Sequence, residues 1–88
     1  MSDAEVESHL RAGSICRVAT QDSAGWPHVV PVAYVLLDGA IAFWSDPGSQ
    51  KIVNVRRDTR VTCIVDSGTD MSDLRGVMVR GVAKMIDE

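Results

Sequence analysis

The sequence is poor in the groups that carry chemistry unaided. Its two histidines, His9 and His28, have no cysteine or second histidine at ligand spacing, so neither points to a metal site or a paired base. Two cysteines, Cys16 and Cys63, lie in separate apolar runs with no CxxC spacing, and each reads as a buried, reduced thiol. Aromatics make up 5% of the chain. Trp26 and Trp44 read first as core, with stacking on a planar ring as the alternative. Basic residues are outnumbered 9 to 12, giving a net charge of −3, which argues against non-specific nucleic-acid binding. No apolar run approaches bilayer length, since Val29 to Leu37 is about half of what is needed. The acidic start MSDAEVESHL is not a signal peptide, so a cytoplasmic protein without a membrane partner is expected. No nucleophile–base pair, carboxylate pair or Walker loop is visible, hence no catalytic residue and no metal ligand is assigned. Any reaction would need a cofactor that brings its own chemistry.

What is present is an ordinary globular composition, 45% apolar over 88 residues. That length suits one domain, which buries about 60–65% of its unfolded surface and has a marginal core. Ser2 to Gly13 predicts a short helix, with Ser2 and Glu5 at capping-box spacing and Gly13 as its stop. Ser14 to Thr20 predicts a first strand, followed by a turn at Gln21 to Trp26. Pro27 to Leu37 predicts one long second strand, with Pro31 marking an edge or a bulge. Asp38-Gly39 is a two-residue hairpin turn leading into a third strand, Ala40 to Ser45. After the break at Asp46-Pro47-Gly48, Ser49 to Arg57 predicts a helix. Arg60 to Asp66 and Arg75 to Ile86 predict two further strands, with Gly81 as a possible bulge. The pattern is mainly β, an antiparallel barrel with peripheral short helices. A sheet stopping at the last of these strands keeps an open edge, so either a partner subunit covers it or further strands are missing.

The segment Trp44 to Lys51 runs from a strand end through a glycine turn into a helix N-terminus. Such an end offers free backbone N–H groups and about half a positive charge. Ser45 and Ser49 add hydroxyls and Lys51 a full charge, which suits a phosphate monoester. The plainer alternative, a Ser49 that only caps the helix and a solvated Lys51, fits the same residues. Arg56 and Arg57 complement the helix dipole at the other end. Arg75 and Arg80 face opposite sides of the last strand, so one of them can turn toward a cofactor cleft.

The order RVAT, GWPHVVPVAYVL, DG, IAFWSDPGSQKIVNVRRDTRVTCIVD and LRGVMVRGVAK resembles the pyridoxamine 5′-phosphate oxidase-like superfamily of flavin-binding split barrels. The likeness runs from about Arg17 onward and is most specific from Phe43 to Val61. It implies a split β-barrel of Greek-key type forming a single domain over 1–88 that is incomplete at its C-terminus. It also implies an FMN-binding oxidoreductase working by hydride transfer on a small-molecule substrate. A deazaflavin-dependent reductase or a non-catalytic flavin- or haem-binding protein are the alternatives. By this resemblance Trp44, Ser45, Ser49 and Lys51 hold the phosphate and ribityl chain, and Gln50 beside them is counted with the cofactor-binding residues. His28, Val29, Val30, Pro31 and Val32 line the flavin ring, largely through backbone groups, and Arg75 joins the cofactor site. The family implies a homodimer with cofactor at the subunit interface. Two departures stand out: the oxidase proper has a basic residue where this chain has Gln50, and a glutamine where it has Gly76.

Overall fold

The computed structural model describes residues 2–68, 72 and 75–86, with Arg75 described by its backbone alone. The expected loop from Ser67 to Asp73 lies mostly outside the described residues. The first element, α1 (Asp3–Ala12), begins at the expected capping box: the Ser2 hydroxyl accepts from the Glu5 N–H at 3.2 Å. Gly13 ends it with extended φ, so left-handed backbone is not its purpose. A Cβ at Gly13 would lie 2.5 Å from Tyr34 Oη and 2.6 Å from Val65 Cγ1. The glycine lets the end of α1 sit directly on the core. His9 reinforces that docking by donating from Nε2 to the Val65 carbonyl at 3.0 Å.

Six strands follow: β1 (Ile15–Gln21), β2 (Pro27–Ala33), β3 (Val35–Leu37), β4 (Ala40–Ala42), β5 (Arg60–Ser67) and β6 (Arg75–Val82), with α2 (Gln50–Arg57) between β4 and β5. They form an antiparallel sheet in the order β2-β1-β5-β6 and a separate β3-β4 hairpin. The described strands do not close into a barrel. β2 is an edge strand, which explains how Pro31 is tolerated, since its missing N–H leaves no gap in a central ladder. Asp38 (φ 51°) and Gly39 (φ 79°) form the expected hairpin turn.

Three expectations need correcting. The long second strand divides at Tyr34, whose N–H bonds to the Ser14 carbonyl at 3.0 Å and whose hydroxyl donates to the Leu10 carbonyl at 2.6 Å. These ties bend the chain out of one sheet and into the other. Gly81 is no bulge, because β5 and β6 stay in continuous register from Arg60↔Val82 to Ser67↔Arg75. Trp26 and Trp44 are not core: they are 72% and 78% exposed.

The core sits on one face of the four-stranded sheet. Cys16 and Val18 of β1, Cys63 and Val65 of β5 and Tyr34 form its buried cluster, with Leu10, Leu36, Ile41 and Phe43 packed against them. Both cysteines are free and buried, as expected. The opposite face leaves Ile15, Val29, Ile64, Met78 and Val82 exposed. No helix among the described residues is long and apolar enough to cross a membrane.

Candidate functional site

The candidate site is built around the start of α2. Ser49 takes the N-cap position, yet its side chain makes no capping bond to the helix. Its Oγ instead pairs with Ser45 Oγ at 3.0 Å, which ties the loop after β4 to the start of the helix; the strand expected to run to Ser45 ends at Ala42. The Ser49 carbonyl accepts from the Ile52 and Val53 N–H groups, at 3.1 Å each. The N–H groups of Gln50 and Lys51, first in the helix, have no intrahelical acceptor. Unfilled donors, the positive end of the helix dipole and Lys51 therefore share the first turn of α2. Lys51 is half-buried and makes no ion pair among the described residues.

Helix α2 is fastened to the sheet by buried polar groups that pattern reading passed over. Asn54 is 0% exposed and Thr20 4%. Asn54 donates from Nδ2 to Thr20 Oγ1 at 3.0 Å and accepts at Oδ1 from Gln50 Nε2 at 2.7 Å. Arg57 donates to the Gln21 carbonyl, fixing the other end of the helix beside the end of β1. One signal for Asn54 was available: it interrupts the apolar stripe of Ile52 and Val55 on the face that packs inward. Thr20 likewise continues the inward alternation of Cys16 and Val18.

Strand β2 delivers its residues to two sides. His28, Val30 and Val32 pair with Thr20, Val18 and Cys16 and share their inward face, whereas Val29 and Pro31 point outward. Of the five, His28 is the one in register with Thr20. Its Nδ1 is buried and has no hydrogen-bond partner, an unmet capacity on the side where α2 sits. Trp44 is exposed immediately before Ser45. Gln50 is in place, but its amide N–H is engaged by Asn54. Arg75, described by its backbone alone, opens β6. Ala19 aligns with Thr62 and Thr62 with Arg80, and the Arg75 backbone lies five residues from Arg80 along β6, roughly 17 Å from it. On the outer face a shallow depression of ≈ 360 Å³ is lined by Gln21, Pro27, Thr62 and Arg80, among others.

The thiols are held protonated. Burial, and then the neighbouring Cys63, push the Cys16 thiol up to about 11, and burial raises Cys63 as well. Neither is a nucleophile at neutral pH. Among the described residues no group of three or more metal-ligating side chains occurs.

The sequence profile of the family described as pyridoxamine 5′-phosphate oxidase matches residues 2–88. Among solved structures, the conserved hypothetical protein Rv2991 of Mycobacterium tuberculosis is 36% identical, with a TM-score of 0.93 over 100% of this chain and 55% of that one. A FAD-binding protein of Mesorhizobium loti is 32% identical, with a TM-score of 0.81 over 93% of this chain and 58% of that one. A heme binding protein of Mycobacterium smegmatis, at 24% identity and a TM-score of 0.80, shares the fold over 100% of this chain and 38% of its own. The chain thus spans little more than half the length of the two more similar structures. No curated protein matches it. With its antiparallel split-barrel architecture and a profile match across nearly its whole length, the chain belongs to the pyridoxamine 5′-phosphate oxidase family.

Proposed function

We propose that this chain is an FMN-binding flavoprotein and acts as an oxidoreductase on a small molecule. The observation that carries the reading is the uncapped N-terminus of α2, where free backbone donors meet the Ser45–Ser49 pair and Lys51. These groups fit a flavin phosphate: the N–H groups and hydroxyls donate to its oxygens, and Lys51 balances its charge. His28, with Nδ1 unmatched, supplies a further polar contact on the same side, and the free edge of β2 offers backbone groups to the ring. A bound flavin supplies the hydride-accepting and hydride-donating ring. The protein contributes position, charge and exclusion of water. The FAD-binding relative at 32% identity favours a flavin over the alternatives.

A homodimer with the cofactor between subunits completes the proposal. The exposed apolar face of the four-stranded sheet supports it. Titration with FMN, FAD and the deazaflavin coenzyme side by side, followed by absorbance, tests the cofactor. FMN is expected to bind with a shifted flavin band, and absence of binding refutes the reading. Turnover of the loaded protein with a nicotinamide donor then separates an enzyme from a carrier.

A further inference from the structure

Asn54 is a polar side chain with no exposure at all, and among the described residues it stands with Val18 and Cys16 as the largest wholly buried side chains. Burying an amide is unfavourable unless its hydrogen bonds are met. Here both ends are met in a defined direction. Nδ2 reaches into the sheet to Thr20 (3.0 Å) and Oδ1 reaches outward to Gln50 at the first position of the helix (2.7 Å). The chain Thr20–Asn54–Gln50 thus joins the end of β1 to the turn that precedes and includes Lys51.

An apolar residue at position 54 would pack this face as Ile52 and Val55 do, but would fix neither the rotation of the helix nor the Gln50 side chain. Directional bonds fix both, and preorganised donors bind an anion better than donors that must be ordered on binding. Gln50 stands beside the lysine and is held by Asn54, so it narrows the arrangements open to the helix entry. We infer that Asn54 and Thr20 are positioning residues: through Gln50 they hold the α2 entry in the orientation that reads the cofactor's phosphate. The inference rests on the proposed phosphate site and adds to it the device that keeps the site in shape.

The test uses the whole chain and the variant Thr20→Val/Asn54→Leu, which replaces both partners by apolar groups of similar shape. Thr20→Val alone serves if the pair does not fold. Dissociation constants for FMN and for riboflavin are measured on each protein, together with the melting temperature without ligand. The expected result is a fall in the preference for FMN over riboflavin by about tenfold or more, with riboflavin affinity unchanged and the fold retained. Lys51→Ala should cost less in the variant background than in the wild type, because the lysine is no longer aimed. A folded variant that keeps the wild-type preference overturns the inference while leaving the phosphate site standing. A wild-type protein that binds FMN and riboflavin equally overturns the phosphate site itself, and this inference with it.

Discussion

Lys51 sits in the first turn of α2, where a positive charge opposes the helix dipole and contributes little to folding. Its value lies in what it binds. A charge-assisted contact to phosphate is worth about 1.5–3 kcal/mol. Lys51→Ala should therefore weaken FMN binding by roughly 10- to 150-fold, while riboflavin binding and the melting temperature of the free protein hardly change. Fluorescence titration of the two ligands checks this, and equal losses for both would make Lys51 an ordinary surface residue. The Cys16 thiol gives a second residue-scale expectation. Burial pushes it up to about 11 in the fold, against about 8.5 for an ordinary exposed thiol. Between those values the unfolded chain has lost a proton that the folded chain keeps. Stability is fully present below about pH 8.5 and falls as pH rises toward 11. Urea midpoints measured from pH 7.5 to 11 should trace that decline, and Cys16→Ala should reduce its slope while lowering stability overall, the buried Cys63 and Tyr34 keeping the rest. A wild-type midpoint constant across this range would mean that the thiol is not protected by the fold.

At the scale of elements, local chemistry was legible and long-range chemistry was not. The capping box at Ser2 and Glu5 and the turn at Asp38-Gly39 were plain in the sequence, because each is complete within four residues. The start of α2 was legible for the same reason, as a serine and a lysine placed after a proline–glycine break. The division at Tyr34 was not, since Val29 to Leu37 is uniformly apolar and what bends it comes from Leu10 and Ser14. The tie between Asn54 and Thr20 was hidden likewise by the distance between them in the chain. The exposure of Trp44 went against the usual burial of aromatics in a small domain. The hairpin offers a direct measurement. Gly39 holds φ at 79° with open space around it, so a side chain there meets backbone strain rather than collision. Gly39→Val should destabilise the protein by roughly 1–3 kcal/mol by chemical denaturation. Gly48→Ala, at a glycine with open space around it and no positive φ, should cost much less.

For the whole molecule the two faces of the four-stranded sheet are unequal. One carries the core, and the other presents Ile15, Val29, Ile64, Met78 and Val82 to solvent. An apolar surface of this kind is usually an interface. Sedimentation equilibrium at micromolar concentration should give a dimer, and Met78→Lys, beside Ile64 on the β6 side of that face, should shift it toward monomer. A wild-type chain that sediments as a monomer throughout would remove the proposed interface site.

The two bonds that fasten α2 to the end of β1 join residues 34 and 36 positions apart, Thr20 with Asn54 and Gln21 with Arg57. That separation sets an order in time. Closing so long a loop is entropically unfavourable until the intervening hairpin and strands have shortened it. The helix entry is therefore expected to assemble after the pairing of β1 with β2, whose partners are closer in the chain. A ligand that recognises only the assembled entry cannot act as a template for the earlier steps. Added FMN should leave the refolding rate almost unchanged and slow unfolding instead, which stopped-flow measurements with and without it will distinguish. In that case the cofactor acts as a latch on a finished structure.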